Sequence, residues 1–264
     1  MPNLGIALSG GAAKGLAHIY IMKKLLFMGI PVKMIAGASS GAMIGGMFAL
    51  GMNSVEIERV LSDFFKTLSK PKMVSYLNWS YFIPFYKNKC SGLFDLKKFE
   101  LYLDNIFNNA NIEDCKIPFA CTTTDMLTGE TIYLKTGNLA KAICSSIAFP
   151  LMFKPISGRY ADGGIRENCP VRVLKRNGCD KIIAVDLKKD FGTSLFFRRT
   201  YLGTFIRLID VLHKGEINED IRDADIVIKP ILTDLKFFDF DEFAMAEDAA
   251  MKALEEHLSI IKSW

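Results

Sequence analysis

Gly37-Ala38-Ser39-Ser40-Gly41 sets a serine between two glycines, after the apolar run Val32 to Ala36 and before Ala42 to Leu50, which reads as a helix. A G-x-S-x-G sequence at a strand-to-helix turn lifts the serine hydroxyl above the end of a sheet and faces it with a helix N-terminus. The spacing therefore predicts a nucleophile elbow at Ser39, with Gly37 and Gly41 allowing the sharp turn. Motifs of this kind need support from their surroundings, because short glycine-serine patterns also arise by accident.

The flanking chain reads as alternating elements. Leu4 to Leu8 is a strand, Ala13 to Met28 a helix, Val32 to Ala36 a strand and Ala42 to Leu50 a helix, which together make a β-α-β unit. A capped amphipathic helix is predicted from Ser54 and another over Phe94 to Phe107. Further strands are expected at Ile117 to Thr123, Thr131 to Leu134, Arg159 to Ala161, Ile182 to Val185 and Ile226 to Ile228. Helices are expected at Leu139 to Ser146, Phe205 to Leu212 and Phe243 to Ile261. This alternation implies an α/β layer sandwich, and the lack of a repeat or a Pro/Gly/Ser linker implies one domain over residues 1–264.

Composition narrows the class. Half of the 264 residues are hydrophobic and 23% are charged, enough for one large buried core. The chain enters its first strand without a basic region or an apolar leader, so no secretory signal is expected. Its six cysteines form no C-x-x-C pair and no zinc spacing, as reduced core cysteines do, which points to a cytoplasmic protein and to no metal. The uncharged stretch Met34 to Leu50 is short for a membrane span and reads instead as a buried strand followed by a closely packed helix. A formal charge of +4 permits attraction to an anionic surface, and no nucleic-acid recognition motif accompanies it.

Acyl transfer needs a nucleophile, a proton acceptor and donors for the developing oxyanion. Ser9-Gly10-Gly11-Ala12-Ala13-Lys14-Gly15 leaves the first strand and opens a helix, where unpaired backbone N–H groups converge on an anion. Gly10, Gly11 and Ala12 are the candidate donors. The loop lacks a Walker sequence and departs from G-x-G-x-x-G at Ala12, which argues against nucleotide binding. Lys14 either orders this loop, lies near an anionic headgroup or is solvated. The three histidines, His18, His213 and His257, sit in helical segments and read as packed or solvated rather than as a base. Asp162, in Tyr160-Ala161-Asp162-Gly163-Gly164 at a strand end, is the better acceptor, since Gly163 and Gly164 permit a close approach to another loop. An ordinary aspartate, with a pKa near ~3.9, takes a serine proton only as the new bond forms and in a partly desolvated site.

Ser9 to Gly15, Gly37 to Gly41 and Asp162-Gly163-Gly164, in that order, resemble the patatin-like phospholipase family in its compact bacterial form. Gly15-Leu16-Ala17-His18-Ile19 and Asn168-Cys169-Pro170-Val171 extend the likeness, which covers about residues 4–187. The resemblance implies a three-layer α/β/α sandwich with a mostly parallel central sheet. It also implies a lipid acyl hydrolase without cofactor or metal, acting on phospholipids, lysophospholipids or related acyl esters through a Ser39-Asp162 dyad. Ala12 departs from the family's more frequent glycine, which is harmless at negative φ and strained at positive φ. Acyl transfer to another acceptor, or lipid binding without catalysis, would use the same fold. Lys70 to Lys89 and Phe191 to Tyr201 mix bulky apolar groups with cations, as either core-covering loops or contacts with a membrane surface.

Overall fold

In the computed structural model, residues 2–68, 92–187, 221–232 and 241–264 are described, together with positions 204, 207, 208, 235 and 239. The aromatic-basic segments Lys70 to Lys89 and Phe191 to Tyr201, His213 and most of the helix expected at Phe205 to Leu212 lie outside the described residues.

The strands follow the apolar runs. β1 (Leu4–Leu8), β2 (Val32–Gly37), β4 (Phe119–Asp125), β5 (Thr131–Leu134), β7 (Tyr160–Asp162), β8 (Lys181–Val185) and β9 (Ile226–Ile228) form one sheet, and β3 (Gly92–Phe94) pairs with β6 (Leu151–Phe153) in a second. In the large sheet the order is β5-β4-β2-β1-β8-β9, parallel from β4 to β9, with β5 and β7 antiparallel to β4. Parallel strands covered on both faces are apolar throughout, and every residue of β1 is buried.

Side-chain alternation separates two apolar layers. Leu4, Ile6, Leu8, Ile35, Phe119, Ile183 and Val185 face one layer, shared with the helices α1 (Leu16–Phe27), α2 (Ser40–Leu50), α4 (Lys97–Ile106), α5 (Leu139–Ile147) and α7 (Phe243–Glu255). Ala7, Ala36, Ala120 and Ala184 face the other, where the short helix α6 (Val171–Arg176) contributes Val171, Val173 and Leu174. The small strand residues on that face let α6 lie close to the sheet. The result is an α/β/α sandwich.

Several boundaries move for local reasons. The first helix begins as a 3-10 turn over Ala12–Gly15 before α1. α3 (Ser54–Leu68) is capped one residue earlier than Ser54: Asn53 Oδ1 accepts the N–H groups of Val55 and Glu56 at 3.0 and 3.1 Å, while Glu56 accepts the Asn53 N–H. The helix expected from Phe94 starts at Lys97, because Gly92–Phe94 is recruited into β3. The C-terminal helix breaks into α7 and α8 (Leu258–Lys262). Met34 to Leu50 divides into β2 and an eleven-residue α2, and among the described residues no helix is long and apolar enough to cross a membrane.

Candidate active site

β1 lies between β2 and β8, so the chain first steps outward to β2 and β4 and later returns to β8 on the opposite side of β1. Such a reversal opens a crevice beyond the carboxyl ends of the strands. Ser9, Ala38 and Asp186 leave β1, β2 and β8 at that edge.

The nucleophile candidate and the base candidate meet because two strands share one edge of β4. β2 pairs with Phe119–Cys121, ending with Gly37 opposite Cys121, and antiparallel β7 pairs with Thr123–Asp125, with Asp162 opposite Thr123. Two residues of β4, about 6.6 Å, therefore separate the levels of Gly37 and Asp162. The elbow after Gly37 fills that gap. Ser39 Oγ donates to Asp162 Oδ2 at 2.6 Å, and Asp162 Oδ1 accepts the Gly164 N–H at 2.7 Å. Asp162 is buried, and its strand is tied to β4 by Thr124 Oγ1, which donates to the Asp162 carbonyl at 2.9 Å, and by Thr123 Oγ1, which donates to the Ala161 carbonyl at 2.7 Å.

Strain at the elbow sits on the serine itself. Ser39 has φ 51° and ψ −121°, a conformation that side chains other than glycine's rarely adopt, and its N–H donates to the buried Ser146 Oγ at 3.0 Å. Gly37 and Gly41 serve a different purpose from the sharp turning expected of them. A Cβ on Gly41 would lie 2.1 Å from the Leu8 carbonyl oxygen, and one on Gly37 would lie 2.4 Å from the Gly41 carbonyl oxygen. Their task is to let α2 descend onto β1 and β2. Gly163 likewise clears the Thr122 hydroxyl and carbonyl, at 2.2 and 2.3 Å from its would-be Cβ.

The glycine-rich loop stands beside the serine: a Cβ built on Gly10 would come within 2.9 Å of Ser39 Cβ. Gly10, however, is removed from the expected donors, because its N–H is given to the Asn168 carbonyl at 3.1 Å. The 3-10 turn closes with Lys14 N–H on the Gly11 carbonyl, so the N–H groups of Gly11, Ala12 and Ala13 are not used in closing it, and Gly11 and Ala12 remain of the expected donors. Ala12 has φ 52°, so the strained alternative raised by its methyl group is the one realised. Lys14 is 6% exposed, which rules out the solvated reading, and Gly15 lies against Ser40.

His18 is fully buried on α1 and its Nε2–H donates to the Ser9 carbonyl at 2.8 Å. Burial drives its pKa down to about 4, partly opposed by that hydrogen bond, so the ring is neutral and structural. Ser146, Thr123, Thr124 and Asn168 support the site and were not marked as site residues by sequence. Hydroxyls inside apolar runs carry little signal until the strand register is known. At the outer end of β4 the Arg159 guanidinium binds Asp125 and holds its carboxyl down at about 2.

A serine hydroxyl bonded to a buried carboxylate, with backbone N–H groups not used in closing the adjoining turn, can take part in nucleophilic acyl chemistry. Comparison with known proteins places the chain in a family. The profile of the patatin-like phospholipase family matches residues 6–175. An uncharacterized NTE family protein of Mycobacterium bovis is 29% identical over 198 residues, covering 74% of this chain and 32% of that protein. The neuropathy target esterase sws of Drosophila melanogaster is also 29% identical over 198 residues, covering 73% of this chain and 13% of its own length. The chain thus spans only about a third or less of these two relatives. Among solved structures, VipD from Legionella pneumophila superposes with a TM-score of 0.52 at 14% identity, over 97% of this chain and 67% of that one, a likeness of fold. With its profile match reaching from β1 through α6, the chain belongs to the patatin-like phospholipase family.

Proposed function

We propose that the chain is a serine lipid acyl hydrolase that cleaves carboxylic esters of phospholipids, lysophospholipids or related acyl lipids. The observation that carries this reading is the 2.6 Å hydrogen bond from Ser39 Oγ to the buried Asp162, made by a serine held at φ 51°. In the first half-reaction Ser39 Oγ attacks the ester carbonyl carbon while its proton passes to Asp162. The carbonyl oxygen becomes an oxyanion received by the Gly11 and Ala12 N–H groups. Collapse of the tetrahedral intermediate breaks the bond to the alcohol, which leaves with the proton from Asp162, and an acyl-serine remains. Water then attacks the acyl carbon, giving its proton to Asp162. Ser39 Oγ departs and recovers that proton, and the free fatty acid is released.

Both oxygens of Asp162 accept hydrogen bonds, and the carboxylate is shielded from water, which supports its acting as a base at the moment of attack rather than as a solvated turn residue. Contact with a phospholipid surface from the cytoplasmic side completes the proposal. A fluorophosphonate probe tests the nucleophile: it should add one phosphonyl group to the peptide containing Ser39, and labelling unchanged in Ser39→Ala would overturn the assignment. Product analysis with water and a competing alcohol separates hydrolysis from acyl transfer, with free fatty acid as the expected product.

A further inference from the structure

We infer that Asn168 is a positioning residue that sets the direction of the oxyanion donor at Gly11, an inference that rests on the acyl-hydrolase reading of the site. Both polar groups of Gly10 are held by this one residue: the Gly10 N–H donates to the Asn168 carbonyl at 3.1 Å, and Asn168 Nδ2 donates to the Gly10 carbonyl at 3.3 Å. Only the amide nitrogen can face a carbonyl oxygen, so this contact also fixes the orientation of the side-chain amide. The Gly10 carbonyl and the Gly11 N–H belong to one planar trans peptide and point in opposite directions. Anchoring the carbonyl on Asn168 therefore turns the Gly11 N–H to the side away from Asn168.

The neighbouring peptide is held as firmly. Ser9, fully buried, gives its N–H to the Val185 carbonyl, accepts the Leu187 N–H on Oγ and accepts His18 on its carbonyl. With Ser9–Gly10 and Gly10–Gly11 both clamped, the Gly11 N–H is presented without reorganisation when charge develops. Asn168 also joins the donor loop to the base. It lies on the segment that follows Asp162, and its Oδ1 would be 2.7 Å from a Cβ on Gly164 and 2.8 Å from one on Gly10. Glycines at 10 and 164 make room for this side chain, so that one loop carries the proton acceptor and braces the oxyanion donor.

The test uses the full chain in two variants. Asn168→Ala removes the side-chain bond while keeping the main-chain one, and Asn168→Asp keeps the volume while replacing the donor. Each should lower kcat by about 10- to 100-fold with KM changed less than about threefold, as expected when a transition-state donor is misdirected. Affinity for a trifluoromethyl ketone analogue, whose hemiketal oxyanion occupies the same donors, should fall in parallel with kcat/KM. In spectra of the ¹⁵N-glycine-labelled chain the Gly11 amide resonance should move in both variants while that of the remote Gly129 stays in place. A Gly11 resonance unmoved in the folded variants, or a wild-type kcat in both, would overturn the inference. Should the wild type hydrolyse no ester in a Ser39-dependent way, the site reading fails, and an inference about an oxyanion donor fails with it even if the Gly11 amide moves. Ser39-dependent hydrolysis with an unmoved Gly11 amide condemns the role of Asn168 alone.

Discussion

Two residues without glycine's freedom hold left-handed backbone at the centre of the site: Ser39 at φ 51° and Ala12 at φ 52°. The strain at Ser39 accompanies the hydroxyl that reaches Asp162, whereas the methyl group of Ala12 has no corresponding role. Ala12→Gly should therefore relieve strain, offset in part by the greater freedom of glycine in the unfolded chain, and raise stability by about 0.5–1 kcal/mol. Urea unfolding checks this, with Ser39-dependent hydrolysis retained; a loss of stability would show that the methyl group contributes packing greater than the strain. The sequence exposed both residues as candidates, but backbone dihedrals follow from how the loop is anchored. The anchor of Ala12 begins at Ser9 and Asn168, which are 159 positions apart in the chain. For the same reason Gly10 was legible as part of the loop and not as a residue whose N–H is already used.

At the scale of elements, the site depends on how closely α2 approaches β1 and β2. Because a Cβ on Gly41 would fall 2.1 Å from the Leu8 carbonyl oxygen, Gly41→Ala must push the helix off the sheet or distort β1. Such overpacking against backbone should cost about 3 kcal/mol or more. Denaturant unfolding of the variant reads that loss directly, and a stability within about 1 kcal/mol of wild type would contradict the packing described. The β-strands were legible to within two residues because alternating or continuous apolar runs fix them, with Thr131–Leu134 and Ile226–Ile228 falling where expected. The pairing β3–β6 was not, since two three-residue strands carry too little pattern to separate from loop. Likewise the meeting of β2 and β7 on one edge of β4 is a property of register, and it is this register that brings Ser39 to Asp162.

For the molecule as a whole, the buried His18 links stability to pH. Its folded pKa, about 4, lies below the ordinary value of 6.5, so between those values the unfolded chain binds more protons and stability falls as pH is lowered. The full effect is roughly 3 kcal/mol by linkage, of which about 2 kcal/mol is expected between pH 7 and pH 5. His18→Gln, which retains an amide donor for the Ser9 carbonyl, should lose this part of the pH dependence; an unchanged slope would contradict a neutral buried histidine. The same histidine illustrates what sequence could decide about function. Three histidines in helical segments argued against a triad, and the described one that lies near the site is spent on holding Ser9.

The central claim is that Ser39 and Asp162 act together on an acyl lipid ester. Its most direct measurement is fatty acid release from phospholipid and lysophospholipid vesicles by the wild type, Ser39→Ala and Asp162→Asn, with folding of each verified by thermal unfolding. Release by the wild type is expected, with a fall of about 10⁴-fold or more in both variants. Release that persists in folded Ser39→Ala would contradict the claim.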